Sequence, residues 1–171
     1  MTVVVATLTA LAAISAVSGM VTRRAPRAHA VVTTALLALA LAFAWFDDVP
    51  ESSRGNSQLI TLLAGIVAVA GGGLVTTQVF ALVDADTGIR EAGAVLRGGA
   101  WIGALERLAV FATIVAGWGP GIAVVLAVKG LGRYPELRNR EETGAAERFI
   151  IGTFTSVLWA AACAGLAVLA P

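Results

Sequence analysis

Long apolar runs without a charged residue limit most strongly what this chain can fold into. Residues 1–22, 55–83 and 149–171 contain no Asp, Glu, Lys or Arg. A helix rises about 1.5 Å per residue, so each run can cross a hydrocarbon core about 30 Å thick. Only 13% of the 171 residues are charged, against about 25% in an average soluble domain. The sequence therefore predicts an all-α, polytopic membrane protein.

Three further apolar segments are shorter or carry charges, and prolines separate them. All five prolines lie between or at the ends of the six segments. Because proline disrupts a helix interior, this distribution favours six continuous helices in a single bundle covering residues 1–171. The predicted helices are 2–21, 31–46, 58–83, 99–117, 120–134 and 148–169.

The distribution of Lys and Arg predicts the topology. Segment 22–30 carries three arginines, whereas 47–57 carries one arginine and three acidic residues. The positive-inside rule places the first loop in the cytoplasm and the second outside. Segments 84–98 and 129–148 carry seven more Lys and Arg and then lie inside, which leaves both termini external. We expect a multi-pass protein of the bacterial cytoplasmic (inner) membrane.

Three features of these segments have alternative interpretations. The first apolar run lacks a basic n-region and exceeds the usual length of a signal-peptide core, so we expect a mature helix. Segment 86–99 has the pattern of a short, capped amphipathic helix on the cytoplasmic surface, and the alternative is a solvated linker. The run Gly71–Gly73 predicts either an unwound transporter segment or a close helix crossing.

Two adjacent charges, Glu106 and Arg107, interrupt the fourth predicted helix. A charge near the bilayer centre costs at least about 2.5 kcal/mol, and such residues usually pair and serve a function. A hairpin turn centred between Gly119 and Pro120 places Glu106 opposite Arg133, with Lys129 one turn deeper in the membrane. The fourth and fifth helices would therefore bring these charges together.

We predict a cytoplasm-facing charged cleft at this level. Glu106 would pair with Arg133 or Lys129, and Arg107 with Glu136 or Glu147, which leaves one cation for an anionic ligand. The alternative is a structural ion-pair network, with the outer arginines reaching to lipid phosphates. Secondary polar positions of the predicted cleft are Gln78, Asp84, Asp86, Thr153 and Ser156.

Several function classes find little support in the sequence. With one cysteine and one histidine, a single chain cannot form a disulfide or a thiolate zinc site, so we expect no cofactor and no metal. The net charge of +1 without a basic stripe argues against nucleic-acid binding. We recognise no serine–histidine pair, no cysteine nucleophile with a base and no phosphate-binding glycine loop, so an enzyme is the less favoured interpretation.

From residue 98 to about 165, the chain resembles a bacterial integral-membrane family described as domain of unknown function thirty-three-zero-seven. The resemblance covers the last three predicted helices and implies an architecture and a set of favoured positions, but no reaction. The residues that carry it are Ile102-Gly103, Leu105-Glu106-Arg107, Ala127-Val128-Lys129, Arg133, Glu136-Leu137, Ala146-Glu147, Ile151-Gly152-Thr153 and Ser156.

The favoured function is a small transporter, or a transport or assembly subunit, that binds an ion, an anionic lipid headgroup or a partner at the cleft. One alternative is an inner-leaflet lipid-modifying enzyme, with Asp84 and Asp86 holding a divalent cation and Glu106 acting as a base. Another is a scaffold that holds a soluble protein through the basic loop 133–148. Expected partners are the bilayer, an anionic lipid, and a second copy of the chain or another protein.

Overall fold

A computed structural model describes residues 2–46, 54–87, 99–138 and 145–170, and this part of the chain is helical without a strand. The all-α prediction is confirmed. Residues Val67–Gly71 form a π segment that joins α3 and α4 into one continuous helix. The helices are α1 Thr2–Thr22, α2 Pro26–Trp45, α3 Arg54–Ile66, α4 Gly72–Thr87, α5 Gly99–Val115, α6 Pro120–Arg138 and α7 Ala145–Leu169.

By length and composition, four helical stretches can cross a membrane: Val3–Thr22, Pro26–Trp45, Gln58–Val83 and Ala146–Leu169. The third stretch is the continuous helix formed by α3, the π segment and α4. Helix α5 has only 17 residues, and α6 carries four charged residues among its 19. Among the described residues, four of the six predicted spans are thus long and apolar enough to cross a membrane. That α5 and α6 also cross it stays a prediction.

The helix ends differ from the predicted bounds at the prolines. Helix α2 begins at Pro26, five residues before the predicted start, because proline fits the first helical position, where its missing N–H would have no partner. Helix α6 continues through Pro135 to Arg138, so this proline lies within the last turn rather than beyond the end. Helix α4 extends to Thr87. The predicted interfacial helix after it lies outside the described residues.

Small side chains fill the interior, and large apolar ones cover the outside. Ala12, Ala64 and Ala164 are fully buried where α1, α3 and α7 meet, whereas Trp101 and Leu131 are more than 70% exposed. Lipid is as apolar as the protein interior, so helices in membranes associate through close packing of small residues. This distribution fits a helical membrane protein.

The helices pack around α7. Helix α7 contacts α3, α4 and α5, while α1 packs on α2 and α3, and α6 packs mainly on α5 at the periphery. One close contact joins α4 to α7, where a Cβ at Gly152 would lie 2.7 Å from Cζ of Phe80. The interface between the π segment, α5 and α7 contains a cluster of hydrogen-bonded polar groups.

Candidate functional site

The π segment Val67–Gly71 presents two carbonyl groups to neighbouring helices. Its i→i+5 bonding widens the helix locally and interrupts the regular α-helical ladder. The carbonyl oxygen of Val67 accepts a hydrogen bond from Nε1 of Trp159 at 3.0 Å. The carbonyl oxygen of Val69 accepts two from Arg107, from Nε at 3.2 Å and from Nη2 at 3.0 Å. The irregular segment is thus held by one side chain from α5 and one from α7.

The glycine run beside the π segment provides the space for these two side chains. A Cβ at Gly71 would lie 2.9 Å from Cζ2 of Trp159, and a Cβ at Gly72 would overlap Cδ of Arg107. The backbone stays helical through all three glycines. The predicted unwound segment is therefore wrong, and the alternative, a close helix crossing, is what the structure shows.

Arg107 is buried near the middle of α5. Its side chain is 7% exposed, and Nη1 lies 3.4 Å from Oγ of Ser156 on α7, in addition to its two bonds to Val69. Among the described side chains the guanidinium forms no ion pair. The predicted pair with Glu147 is not formed, because Glu147 is exposed while Arg107 reaches into the bundle. The side chain of Glu136 lies outside the described residues.

Glu106 forms an ion pair with Lys129 of α6 through Oε2 and Nζ, and both side chains are about 15% exposed. Helix α5 ends at Val115 and α6 begins at Pro120, so the hairpin centre falls between residues 117 and 118. Glu106 and Lys129 lie equally far from that centre. The predicted register opposite Arg133 is thus shifted by four residues, because the turn starts earlier in the chain, at Gly117 with a φ of +68°.

Two cavities adjoin this ion pair. The smaller, of about 10 Å³, has room for about one water molecule and is lined by Glu106, Arg107 and Ser156, among others. The larger, of about 230 Å³, lies between α6 and α7. Lys129 lines both cavities. The larger one, called the α6–α7 cleft below, is lined by Leu126, Lys129, Phe149, Ile150, Thr153, Phe154 and Val157.

The structure brings some of the predicted site residues together and leaves others apart. Those beside the two cavities are Glu106, Arg107, Lys129, Thr153 and Ser156. Gln78 is half-buried on α4, outside the lining of either cavity, and Glu147 is exposed near the start of α7. The side chains of Asp84 and Asp86 lie outside the described residues.

Val67, Val69 and Trp159 belong to this polar cluster but were not predicted from the sequence. Backbone carbonyls have no side-chain signature, and the π segment reads as ordinary apolar helix. Trp159 looks like any aromatic residue of a span. The one available signal was the glycine run, which predicted a close approach of another helix without naming the residues that approach.

A serine–histidine contact was also missed, because its members lie on different helices. Oγ of Ser15 on α1 lies 3.4 Å from Nδ1 of His29 on α2, and Thr33 donates a hydrogen bond to the same oxygen at 3.1 Å. The prediction that the chain has no such pair is wrong. A distance of 3.4 Å is long for a bond between oxygen and nitrogen, and a Cβ at Gly19 would lie 2.7 Å from Cβ of His29. The contact belongs to a tight α1–α2 crossing.

The apolar helices, the interior of small residues and the polar cluster together fit the class of helical membrane proteins. No protein-family model, curated protein or solved structure matches the chain. The resemblance of residues 98–165 to the uncharacterised membrane family therefore stays a prediction. Among the side chains that the structure describes, no three of His, Cys, Asp and Glu lie close enough to hold a metal ion.

Replacing Trp159 with phenylalanine should lower stability by about 1 to 3 kcal/mol, because the buried carbonyl of Val67 loses its indole donor. Thermal unfolding in detergent measures this loss. Trp101→Phe is the matched control, since Trp101 is 77% exposed and should tolerate the change. Equal melting temperatures for the two variants would contradict a role for the Trp159 hydrogen bond.

Proposed function

We propose that the chain crosses the membrane six times, with both termini outside. Helices α5 and α6 then form the fourth and fifth crossings as one hairpin. The lipid-facing character of this hairpin supports the proposal, because Trp101, Leu105, Val128 and Leu131 are all highly exposed apolar residues. The Glu106–Lys129 pair supports it as well, since pairing two opposite charges lowers the cost of placing them in a bilayer.

Cysteine labelling from either side of the membrane tests this topology. The single native cysteine, Cys163, is fully buried, so the unaltered chain should resist a membrane-impermeant maleimide. Ala28→Cys, in the exposed first turn of α2, should react only from the cytoplasmic side. Gly119→Cys, where a Cβ has open space, should react only from outside. Labelling of both positions from the same side would contradict the six-span topology.

We further propose that the protein is a small transporter or a transport subunit that binds an anionic ligand beside Lys129. One observation carries this proposal: among the described residues, two cations and one carboxylate line the two adjoining cavities, which leaves one positive charge to be compensated. Arg107 and Lys129 each lie near the middle of their helices, at a depth where a substrate in transit would pass. Inside a membrane, an ionisable group in such a place commonly marks a substrate or ion pathway.

The cluster divides into two parts with different roles. Arg107 is engaged by Val69 and Ser156 and holds three helices together, so we assign it to the framework. Lys129 lies between Glu106 and the α6–α7 cleft and is the cation that a ligand can reach. We therefore propose that Glu106 and Lys129 respond to the ligand, while Arg107 keeps the helices in place.

Purification with native lipids, followed by mass spectrometry of everything retained, tests the binding role. The comparison is between the unaltered chain, the neutral double variant Glu106→Gln/Lys129→Gln and the exposed control Glu147→Gln. We expect an anionic species on the unaltered chain and on the control, and its loss from the double variant. The double variant leaves no unpaired Lys129, and Arg107 keeps its hydrogen bonds to Val69 and Ser156, so it should still fold. Identical retained species in all three samples would leave the ion pair with a structural role only and refute the proposal.

A further inference from the structure

We propose that the α6–α7 cleft binds a glycerophospholipid with an anionic headgroup, whose phosphate faces Lys129 and whose acyl chain lies along the apolar wall of α7. This inference rests on the proposed anion-binding function and names the chemical class of its ligand. It follows from three properties of the cleft: its apolar lining, its two polar residues, and its depth along the helices.

The lining of the cleft suits a hydrocarbon chain. Five of its seven lining residues are apolar, and Ile150 and Phe154 are more than half exposed on the outer surface of the bundle. The cleft exists because α6 packs mainly on α5 and leaves a gap towards α7. A volume of about 230 Å³ is many times the roughly 10 to 15 Å³ that one water molecule needs by the same measure, and water would find few polar partners there.

The polar groups of the cleft suit a phosphate. The ammonium group of Lys129 has three N–H donors, of which the described contacts with Glu106 use one. The hydroxyl oxygen of Thr153 is buried and has no hydrogen-bond partner among the described residues. A buried hydroxyl without a partner is costly, and a phosphate or ester oxygen could accept a hydrogen bond from it. Of the described residues that line the cleft, only Lys129 and Thr153 are polar and neither is a carboxylate, so an anionic group there would face a cation and a neutral donor.

The depth of the cleft distinguishes a lipid bound there from the lipid of the surrounding bilayer. Lys129 is the tenth of the 19 residues of α6, about 14 Å from either end at 1.5 Å per residue. The headgroup of a lipid bound there lies below the interface where bulk headgroups reside. A lipid held at this depth has the position expected of a molecule that a transporter moves, which connects the cleft to the proposed function.

Photocrosslinking in nanodiscs tests the inference with two probes: phosphatidylglycerol and phosphatidylcholine, each with a photoreactive headgroup. We expect the phosphatidylglycerol probe to label residues 149–157, and the phosphatidylcholine probe to label them at least about tenfold less. Such a difference corresponds to about 1.4 kcal/mol, within the range of one hydrogen bond to a charged group.

Substitutions in α7 test whether the photocrosslinked lipid probe lies in the cleft. Thr153→Phe fills the cleft and should abolish labelling, and Thr153→Val removes only the hydroxyl and should reduce it. Thr155→Val is the matched control, because Thr155 lies on the same helix but does not line the cleft. Melting temperatures show that each variant is folded. Equal labelling by both probes, labelling confined to residues outside 149–157, or labelling unaffected by Thr153→Phe would overturn the inference.

The outcomes also distinguish this inference from the function on which it rests. If a small anion or a protein is retained in a Lys129-dependent manner while the phosphatidylglycerol probe fails to label the cleft, the binding function stands and the lipid assignment is refuted. If nothing is retained and nothing is labelled, both are refuted.

Discussion

Gly72→Ala should lower the stability of the folded protein by about 1 to 3 kcal/mol, whereas Gly73→Ala should leave it unchanged or raise it. A Cβ at Gly72 would overlap Cδ of Arg107 and lie 2.8 Å from Cδ1 of Trp159. Both side chains are fixed by hydrogen bonds to the π segment, so neither moves without losing a bond. Overpacking of a filled interior typically has a cost of this size.

Gly73 provides the matched control for this prediction. A Cβ there would lie 3.6 Å from Nη2 of Arg107, which is an ordinary contact. Both substitutions gain the same helix propensity, up to about 1 kcal/mol, so the difference between them reports the crowding alone. Thermal unfolding in detergent measures both. Equal stability of the two variants would show that Arg107 and Trp159 do not approach α4 as described.

Glu106→Gln should be the most damaging neutral substitution in the cluster, with a loss of about 3 kcal/mol, because removing one partner of this largely shielded ion pair leaves the other charge uncompensated. It leaves both Lys129 and Arg107 without a neighbouring carboxylate among the described side chains. Lys129→Gln should cost less, since Glu106 then still has Arg107 as its neighbour in sequence. The double variant should recover part of the loss, because Lys129 is then no longer a charge without a partner, while Arg107 keeps its hydrogen bonds to Val69 and Ser156.

A double-mutant cycle over Glu106 and Lys129, followed by thermal unfolding, measures this coupling. Glu147→Gln makes the same chemical change at an exposed position and should be neutral. If the effects of the two single variants simply add in the double variant, the two residues are not coupled and the ion pair does not stabilise the fold.

The broad features of this protein could be predicted from its sequence because they depend on composition. Charge-free apolar runs favour helices that are long and apolar enough to cross a membrane, and a carboxylate such as Glu106 within an apolar helix favours a cation within reach. The choice of Lys129 over Arg133 could not be predicted, since it depends on where the α5–α6 turn begins. A difference of two residues at that turn shifts the partner by one helical turn.

The hydrogen-bond partners of Arg107 could not be predicted from the sequence either, but for a different reason. Electrostatics alone predicts a carboxylate, and the chain offers Glu136 and Glu147 within a plausible distance. The structure instead supplies the carbonyl of Val69, which is accessible only because the helix adopts a π segment there. No property of the side chains in Val67–Gly71 distinguishes this segment from a regular helix.

The π segment also sets how the residues of α4 that follow it are oriented about the helix axis. An additional residue per turn rotates the subsequent helix by about 100° relative to a regular α-helix, since 3.6 residues make one turn. Phe80 of α4 packs against Gly152, and the guanidinium of Arg148 lies over its ring. The face of α4 that makes these contacts is therefore set by the one extra residue in the π segment. Deleting a single residue between Val67 and Gly71 would keep a continuous helix of nearly the same length, yet turn its C-terminal end away from α7.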